Sequence, residues 1–206
     1  MKLMKRLYGI GLLLAAVPAL AAQKGLTTVT GSSVAASVKH AGVMQQFAVA
    51  NLPTGGGQMA ADTNGIVTTQ FSSPSIAAVT AGEADSDGLG SQQSVATASN
   101  VSLLGGMITA DRVVGIASVI SNGNKSSGDY DGSVITNLTV NGTLVSGSDF
   151  TPAPNTKMTI PGGYVVLNEQ ASAGHGKGTN VSVNMIHVYL SSGDEIVVGA
   201  ASSSIQ

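Results

Sequence analysis

The chain has 206 residues, only 10% of them charged, and a formal net charge of −2 at pH 7. A weakly acidic chain presents no electrostatic footprint for nucleic acid, and a hydrophobic content of 43% argues against a disordered protein. No cysteine is present, so disulfide bonds are excluded and stability must come from a core, from assembly or from bound metal. The 25 serines and 17 threonines replace charges as the polar fraction and are expected to solvate the surface.

The first 21 residues have the layout of a secretory signal peptide. Basic residues are found within positions 2–6, the run 7–20 is almost wholly apolar, and residues 19–21 read Ala-Leu-Ala. This apolar run is shorter than the ~20 residues that cross a bilayer as a helix. We therefore predict cleavage after Ala21 and export to the cell surface or the extracellular space, with the periplasm as the other destination.

The mature chain is predicted to consist of an N-terminal arm, residues 22–42, and one all-β domain, residues 43–206. The apolar residues of the arm are spaced among threonines and serines as in an extended strand: Leu26, Val29, Val34 and Val38. Such an arm either adds a strand to the sheet edge of a second copy, completes the sheet of its own domain, or stays mobile as termini often do.

The domain itself reads as a succession of strands. Residues 43–50 form the first clear strand, residues 65–72 alternate weakly, and the alanine-rich stretch 74–84 suits a short helix as well as a strand. Residues 107–120 are rich in valine and isoleucine, and from Val113 onward both faces are mainly apolar, as in a strand within a sheet.

Hairpin signals follow in the second half of the chain. Residues 133–140 alternate, with one face predicted to carry Val134, Thr136, Leu138 and Val140. The pair Asn141-Gly142 comes next and is the strongest short hairpin signal. Two more hairpins are predicted from 157–170 and 181–200. Short strands joined by Gly, Asn and Pro turns favour an all-β antiparallel β-sandwich; a β-barrel or a β-solenoid is the alternative, although the sequence shows no fixed internal period.

Four strings in the carboxyl half carry a family resemblance. They are VSLLGGMITAD at 101–111, NLTVNG at 137–142, VVLNEQ at 165–170 and VNMIHV at 183–188. In this order they resemble the bacterial choice-of-anchor P family of exported proteins, over roughly residues 95–201. The resemblance implies an exported domain that is displayed on a surface or released, and it implies no reaction. The chain ends in Ala-Ser-Ser-Ser-Ile-Gln without a hydrophobic tail, which favours release or assembly.

Two polar loops repeat an Asp-x-Asp-Gly pattern, with Asp85 and Asp87 in one loop and Asp129 and Asp131 in the other. Paired carboxylates one residue apart can face a Ca²⁺ ion, and the following glycine permits a tight wrap. The alternative is ordinary turn chemistry, because Asp-Gly is common in turns that bind no metal. These four residues are the candidate metal ligands, and the sequence predicts no other cofactor.

One His–Glu pair carries the candidate chemistry. Strict alternation places His187 on the apolar face of its strand, with Val181, Val183, Met185 and Tyr189, as a satisfied core residue. Glu169 in the preceding strand is its nearest predicted partner, and alternation puts Glu169 with Val165 and Leu167, where burial would raise its pKa. With a serine this pair would make a hydrolase, but no Gly-x-Ser-x-Gly turn supports one. No catalytic residue is therefore assigned.

Three functions remain open at this point. The first is a non-enzymatic extracellular structural or adhesive protein, whose partners are further copies of itself or cell-surface polymers. The second is a surface module that binds carbohydrate or calcium, although three tyrosines and three phenylalanines after the leader give few aromatic platforms for sugars. The third is a secreted hydrolase that uses Glu169 and His187.

Overall fold

The computed structural model describes residues 27–174 and 176–206, which form β-strands joined by turns and one short 3-10 turn at Leu104–Gly106. The predicted signal peptide and residues 22–26 of the predicted arm lie outside these residues. The strands are β1 Val29–His40, β2 Val43–Asn51, β3 Gly57–Val67, β4 Phe71–Ala84, β5 Leu89–Leu103, β6 Ile108–Asn122, β7 Ser126–Asp129, β8 Val134–Thr136, β9 Leu138–Val140, β10 Thr143–Ser146, β11 Thr156–Ile160, β12 Gly163–Ala173, β13 Thr179–Leu190 and β14 Glu195–Ile205.

The strands build two antiparallel sheets. A six-stranded sheet has the order β11-β12-β13-β14-β1-β2, and an eight-stranded sheet has the order β10-β9-β6-β5-β4-β3, with β7 and β8 also beside β6. The sheets stay separate and pack face to face, and the buried apolar side chains between them form one core. The predicted all-β antiparallel sandwich is confirmed.

From Val29 onward the predicted arm is a strand of the domain itself, so the domain begins before residue 43. In the structure, β1 lies between β14 and β2, and Val34 pairs with Ala200 on one side and Val49 on the other. Both of its backbone edges are therefore occupied within its own sheet. Of the three arrangements expected for this segment, the structure shows the one in which it completes the sheet of its own domain.

The local turn signals give the predicted hairpins. Asn141 and Gly142 have φ values of 51° and 74°, the left-handed conformation that a two-residue hairpin turn requires, and they join β9 to β10. The strands expected over 157–170 and 181–200 are present as β11 to β14. The ambiguous stretch 74–84 is part of strand β4, whereas the weak run 65–72 spans the turn between β3 and β4.

One row of residues across each sheet shifts the inward–outward alternation of the strands. In the six-stranded sheet, Ala48, Gly199 and Asn168 have φ values of 49°, 73° and 50°, and the register places them in one row, on alternate strands. On β13, which crosses this row, Val181 and Val183 are buried before the row, and Ile186 and Val188 are buried after it. The side chains that face the core therefore change from odd to even numbers within one strand.

The eight-stranded sheet has an equivalent row. Gly65 on β3, Asn100 on β5 and Asn137 between β8 and β9 have φ values of 68°, 45° and 51°. Asn137 divides the predicted strand 133–140 into β8 and β9. Buried Ile135 therefore shares the inner face with Leu138 and Val140, and the prediction that Val134 and Thr136 lie on that face is wrong.

Serine hydroxyls bridge the two sheets inside the core, although the composition places serine on the surface. The bonds run from Ser33 Oγ to the carbonyl of Val79 at 3.0 Å, from Ser94 Oγ to that of Ser202 at 2.8 Å, and from Ser203 Oγ to that of Ala117 at 2.5 Å. A hydroxyl is small enough to pack between sheets and to satisfy its own polarity on a backbone carbonyl.

Candidate functional site

The first predicted metal pair forms a turn between β4 and β5. The Oδ1 atom of Asp85 accepts hydrogen bonds from the backbone amides of Asp87 and Leu89, each at 2.9 Å. This carboxylate organises its own loop in the way expected of an aspartate that precedes a glycine-containing turn.

The second pair is built similarly. The Oδ1 atom of Asp129 accepts from Ser118 Oγ at 2.7 Å and from the amide of Asp131 at 3.1 Å. Over residues 27–174 and 176–206, no group of three or more His, Cys, Asp and Glu side chains is placed to hold a metal ion. Both aspartate pairs thus contribute to turns, and calcium binding by them stays a prediction.

His187 lies on the outer face of the six-stranded sheet and not between the sheets. The shift at Met185 turns Ile186 and Val188 inward, so that His187 and Tyr189 point outward on β13. Neighbouring side chains nevertheless cover His187, which is 8% exposed. The predicted core position is therefore wrong, and the reason is the change of face within the strand.

Glu169 is the hydrogen-bonding centre of this outer face. Its Oε2 atom accepts from His187 Nδ1 at 2.6 Å and from Asn184 Nδ2 at 2.8 Å, and its Oε1 atom accepts from the Tyr189 hydroxyl at 2.7 Å. The predicted pairing of Glu169 with His187 is confirmed. Asn168 makes the pairing possible, because its left-handed backbone turns Glu169 outward, away from Val165 and Leu167.

The ionisation of Glu169 differs from the expectation. Partial burial acts to raise the pKa of this carboxyl group, but the three hydrogen bonds from Asn184, His187 and Tyr189 outweigh burial and hold the pKa below its usual value. Burial and the neighbouring Glu169 carboxylate together raise the pKa of the Tyr189 hydroxyl far above its usual value. Near neutral pH, Glu169 is therefore a carboxylate and Tyr189 a hydrogen-bond donor.

The second ring nitrogen of His187 faces another carboxylate. His187 Nε2 is buried, has no hydrogen-bond partner among the described residues, and lies 3.6 Å from Glu195 Oε2. Glu195 in turn accepts from Lys39 Nζ at 2.8 Å, and this bond is the main reason that its pKa lies below the usual value. The nitrogen that would take a proton from a serine in a hydrolase thus points at a glutamate.

Three rings and one ammonium group form a stacked column on the same face, which we call the outer-face column: Lys157, Tyr164, Tyr189 and His187. The ring centroids of Tyr164 and Tyr189 are 4.8 Å apart, and those of Tyr189 and His187 are 3.9 Å apart. The Lys157 ammonium lies 3.6 Å from the centroid of Tyr164. The faces of these rings are thus engaged with one another and with a cation.

A third constellation, not found by sequence reasoning, surrounds Asp194. Its carboxylate accepts from His40 Nδ1 at 2.9 Å, the Ala41 amide at 3.0 Å and Gln70 Nε2 at 3.1 Å. The hydrogen bond from His40 is the largest cause that lowers the pKa of Asp194 to about 2. Three turns, β1–β2, β3–β4 and β13–β14, are joined in this way. The donors lie 124 to 154 residues from Asp194, so no local motif marks the site.

Comparisons of the chain with protein-family models, with curated proteins and with solved structures gave no match. Within the described residues, none of the helical structure has the length and apolar character needed to span a membrane. The fold and the contacts above therefore define the protein as an all-β sandwich with a closed polar and aromatic cluster on the outer face of one sheet.

Proposed function

We propose that this protein is an exported, non-enzymatic β-sandwich with a structural or adhesive role outside the cytoplasm. The observation that carries the proposal is the state of the cluster around Glu169, the most enzyme-like group among the described residues. Glu169 holds His187, Asn184 and Tyr189 by hydrogen bonds, and the rings of His187, Tyr189 and Tyr164 stack on one another. Such a cluster stabilises the outer face of a sheet.

The contacts of the cluster support the same proposal. The lowered pKa of Glu169 makes it unsuited to donate a proton, so its remaining catalytic role would be to orient His187 through Nδ1. A histidine that activates a serine needs the hydroxyl within hydrogen-bonding distance, whereas His187 Nε2 faces Glu195. The hydrolase alternative would thus require a serine hydroxyl to take the place of Glu195 beside His187 Nε2.

The sequence supports export and a structural role. The predicted signal peptide directs the chain out of the cytoplasm. The 10% charged fraction, the richness in Ser, Thr and Gly, and the resemblance to choice-of-anchor P proteins are all expected of a protein that is displayed or released. In this proposal the partners are further copies of the chain or polymers of the cell surface.

The aromatic residues of the outer-face column do not support the carbohydrate-binding alternative. Sugars stack on free ring faces, but Tyr164 is covered by Lys157 on one side, and Tyr189 stacks on both Tyr164 and His187. A sugar would have to displace Lys157 to reach the column. We therefore place adhesion on other surfaces of the sandwich.

The test combines turnover with retention. The purified mature chain is incubated with chromogenic ester, glycoside and peptide substrates, and separately with insoluble cell-wall and extracellular polymers of the producing cells. We expect no turnover, and sedimentation of the protein with its own assemblies or with the polymers. Turnover that disappears in His187→Ala at an unchanged melting temperature would overturn the proposal in favour of the hydrolase.

A further inference from the structure

The two sides of the sandwich differ in how their free sheet edges are protected against pairing with another chain. On one side the outermost strands are short: β10 has four residues, and β11 has five and carries Lys157. On the other side the outermost strands are β2, with nine residues, and β3, with eleven. Short edges and edge lysines prevent strand pairing between chains, so only the first side shows this protection.

The free edges of β2 and β3, which we call the open side, also carry exposed apolar side chains. Val43 and Met44 on β2 are 63% and 52% exposed, and Met59 and Val67 on β3 are 46% and 80% exposed. These four residues are more than half of the large hydrophobic side chains that are exposed in the described part of the chain. Exposed apolar groups collected along unpaired backbone mark a surface that associates.

The charges on β2 and β3 indicate which of these strands pair when two open sides meet. No residue of β2 is charged, and Asp62 is the single charged residue of β3. Because Asp62 lies at the middle of β3, antiparallel pairing of β3 with β3 would bring two aspartates together. Pairing of β2 with the β3 of a second copy avoids this repulsion and uses both edges at once.

The size of the open side fits a dimer. Eleven residues at ~3.4 Å each make an edge roughly 37 Å long, and two sheets ~10 Å apart with their side chains make it roughly 20 Å thick. The open side then offers roughly 700 Å², close to the ~800 Å² that each partner buries in an interface of standard size.

We propose that two copies of this chain associate through the open side, with β2 of each copy pairing antiparallel with β3 of the other. Each six-stranded sheet thereby continues into the eight-stranded sheet of the partner, and both free edges gain backbone hydrogen bonds. This inference deepens the structural function proposed above and rests on it, because it names a second copy as the partner.

Lysine substitutions test the pairing. The variant Met59→Lys with Val67→Lys alters β3, and Val43→Lys with Met44→Lys alters β2; Leu89→Lys with Ile120→Lys is the matched control on strands that have neighbours on both sides. Sedimentation equilibrium of the mature chain over a wide concentration range should show a dimer. Each edge variant should weaken dimerisation about tenfold or more, whereas the control should leave it unchanged.

A charge-complementation experiment identifies the strands that pair. Met59→Glu with Val67→Glu on β3 is mixed with Val43→Lys with Met44→Lys on β2. If β2 meets the partner's β3, the mixture should dimerise more tightly than either variant alone. Dimers of the β3 variant that persist unchanged would overturn the pairing.

Two further outcomes keep this inference separate from the proposed function. A wild-type chain that stays monomeric at every concentration, or a control variant that weakens the dimer as much as the edge variants, overturns the inference. If that chain still sediments with surface polymers and shows no turnover, the structural function stands. Melting curves of each variant establish that loss of the dimer is not loss of the fold.

Discussion

Replacing Gly115 by alanine tests the contact between the two sheets. Gly115 lies in β6, and a Cβ atom there would be 2.1 Å from the carbonyl oxygen of Gly199 in β14 and 3.2 Å from Met185 Cγ. The close obstacle is backbone of the opposite sheet, so it cannot rotate away as the end of a side chain would.

The magnitude follows from this distance. Ordinary van der Waals contact begins near 3.4 Å, so the alanine methyl group forces the sheets apart by roughly 1 Å at this row. Overpacking of a core costs about 1–3 kcal/mol, and a backbone obstacle places Gly115→Ala at about 3 kcal/mol. For a domain of this size, that loss lowers the melting temperature by roughly 6–12 °C.

Thermal and urea unfolding of the mature chain measure the effect. Gly147→Ala is the matched control, because its Cβ atom would lie 3.8 Å from Leu144 Cδ2, an ordinary contact, and its φ is not left-handed. We expect the control to stay within about 0.5 kcal/mol of the wild type. Equal stability of the two variants would refute the close approach of the sheets at Gly115 and Gly199.

Four further predictions concern the turns, the outer face and β1. Asp194→Asn should lower the melting temperature at neutral pH. Folding lowers the pKa of Asp194 from 3.8 to about 2, so the carboxylate stabilises the fold only while it is ionised. The difference in melting temperature between variant and wild type should therefore be full above pH ~4 and vanish as the pH falls towards 2. His187→Ala should lower the free energy of unfolding in urea by about 1–3 kcal/mol, because it leaves Glu169 without one donor and uncovers Tyr189. An unchanged free energy of unfolding would show that the ring contributes nothing to the network. Deletion of residues 22–38 should abolish the β-sheet circular dichroism signal, because β1 is internal; a folded deletion mutant would contradict the register. If the aspartates at 85 and 129 only build turns, melting in calcium and in chelator should coincide, and a higher melting temperature with calcium would identify a metal site.

Strand positions followed from the sequence wherever the signal was local. The Asn141-Gly142 turn needs only its two residues and the alternating runs beside them, so its hairpin was predictable. The same holds for the glycine-rich turn at 161–163. Asp194 was not predictable, because its donors come from two other turns that only the folded sheets bring near.

The inward or outward direction of side chains was predicted less well than the positions of the strands, and the cause is the row of left-handed residues in each sheet. Asn100, Asn137 and Asn168 are asparagines within alternating runs, and asparagine tolerates the left-handed region better than most residues. An asparagine in the middle of a strand was therefore an available signal for a change of face. Ala48 carries no such signal, since nothing in an alanine favours a φ of 49°.

The change of face also explains how this chain keeps a charged cluster without burying it between the sheets. With strict alternation, Glu169 and His187 would share the inner face with Val165, Leu167, Val183 and Met185, where a carboxylate is costly to desolvate. Asn168 and the row through Met185 turn both residues outward, while Ile186 and Val188 take the inner positions. Because of the left-handed Asn168, the same pair of strands can contribute apolar side chains to the core on one face and hold an ionised Glu169 with three donors on the other. A substitution at Asn168 that disfavours positive φ, such as Asn168→Val, should thus disturb the core and the outer face together.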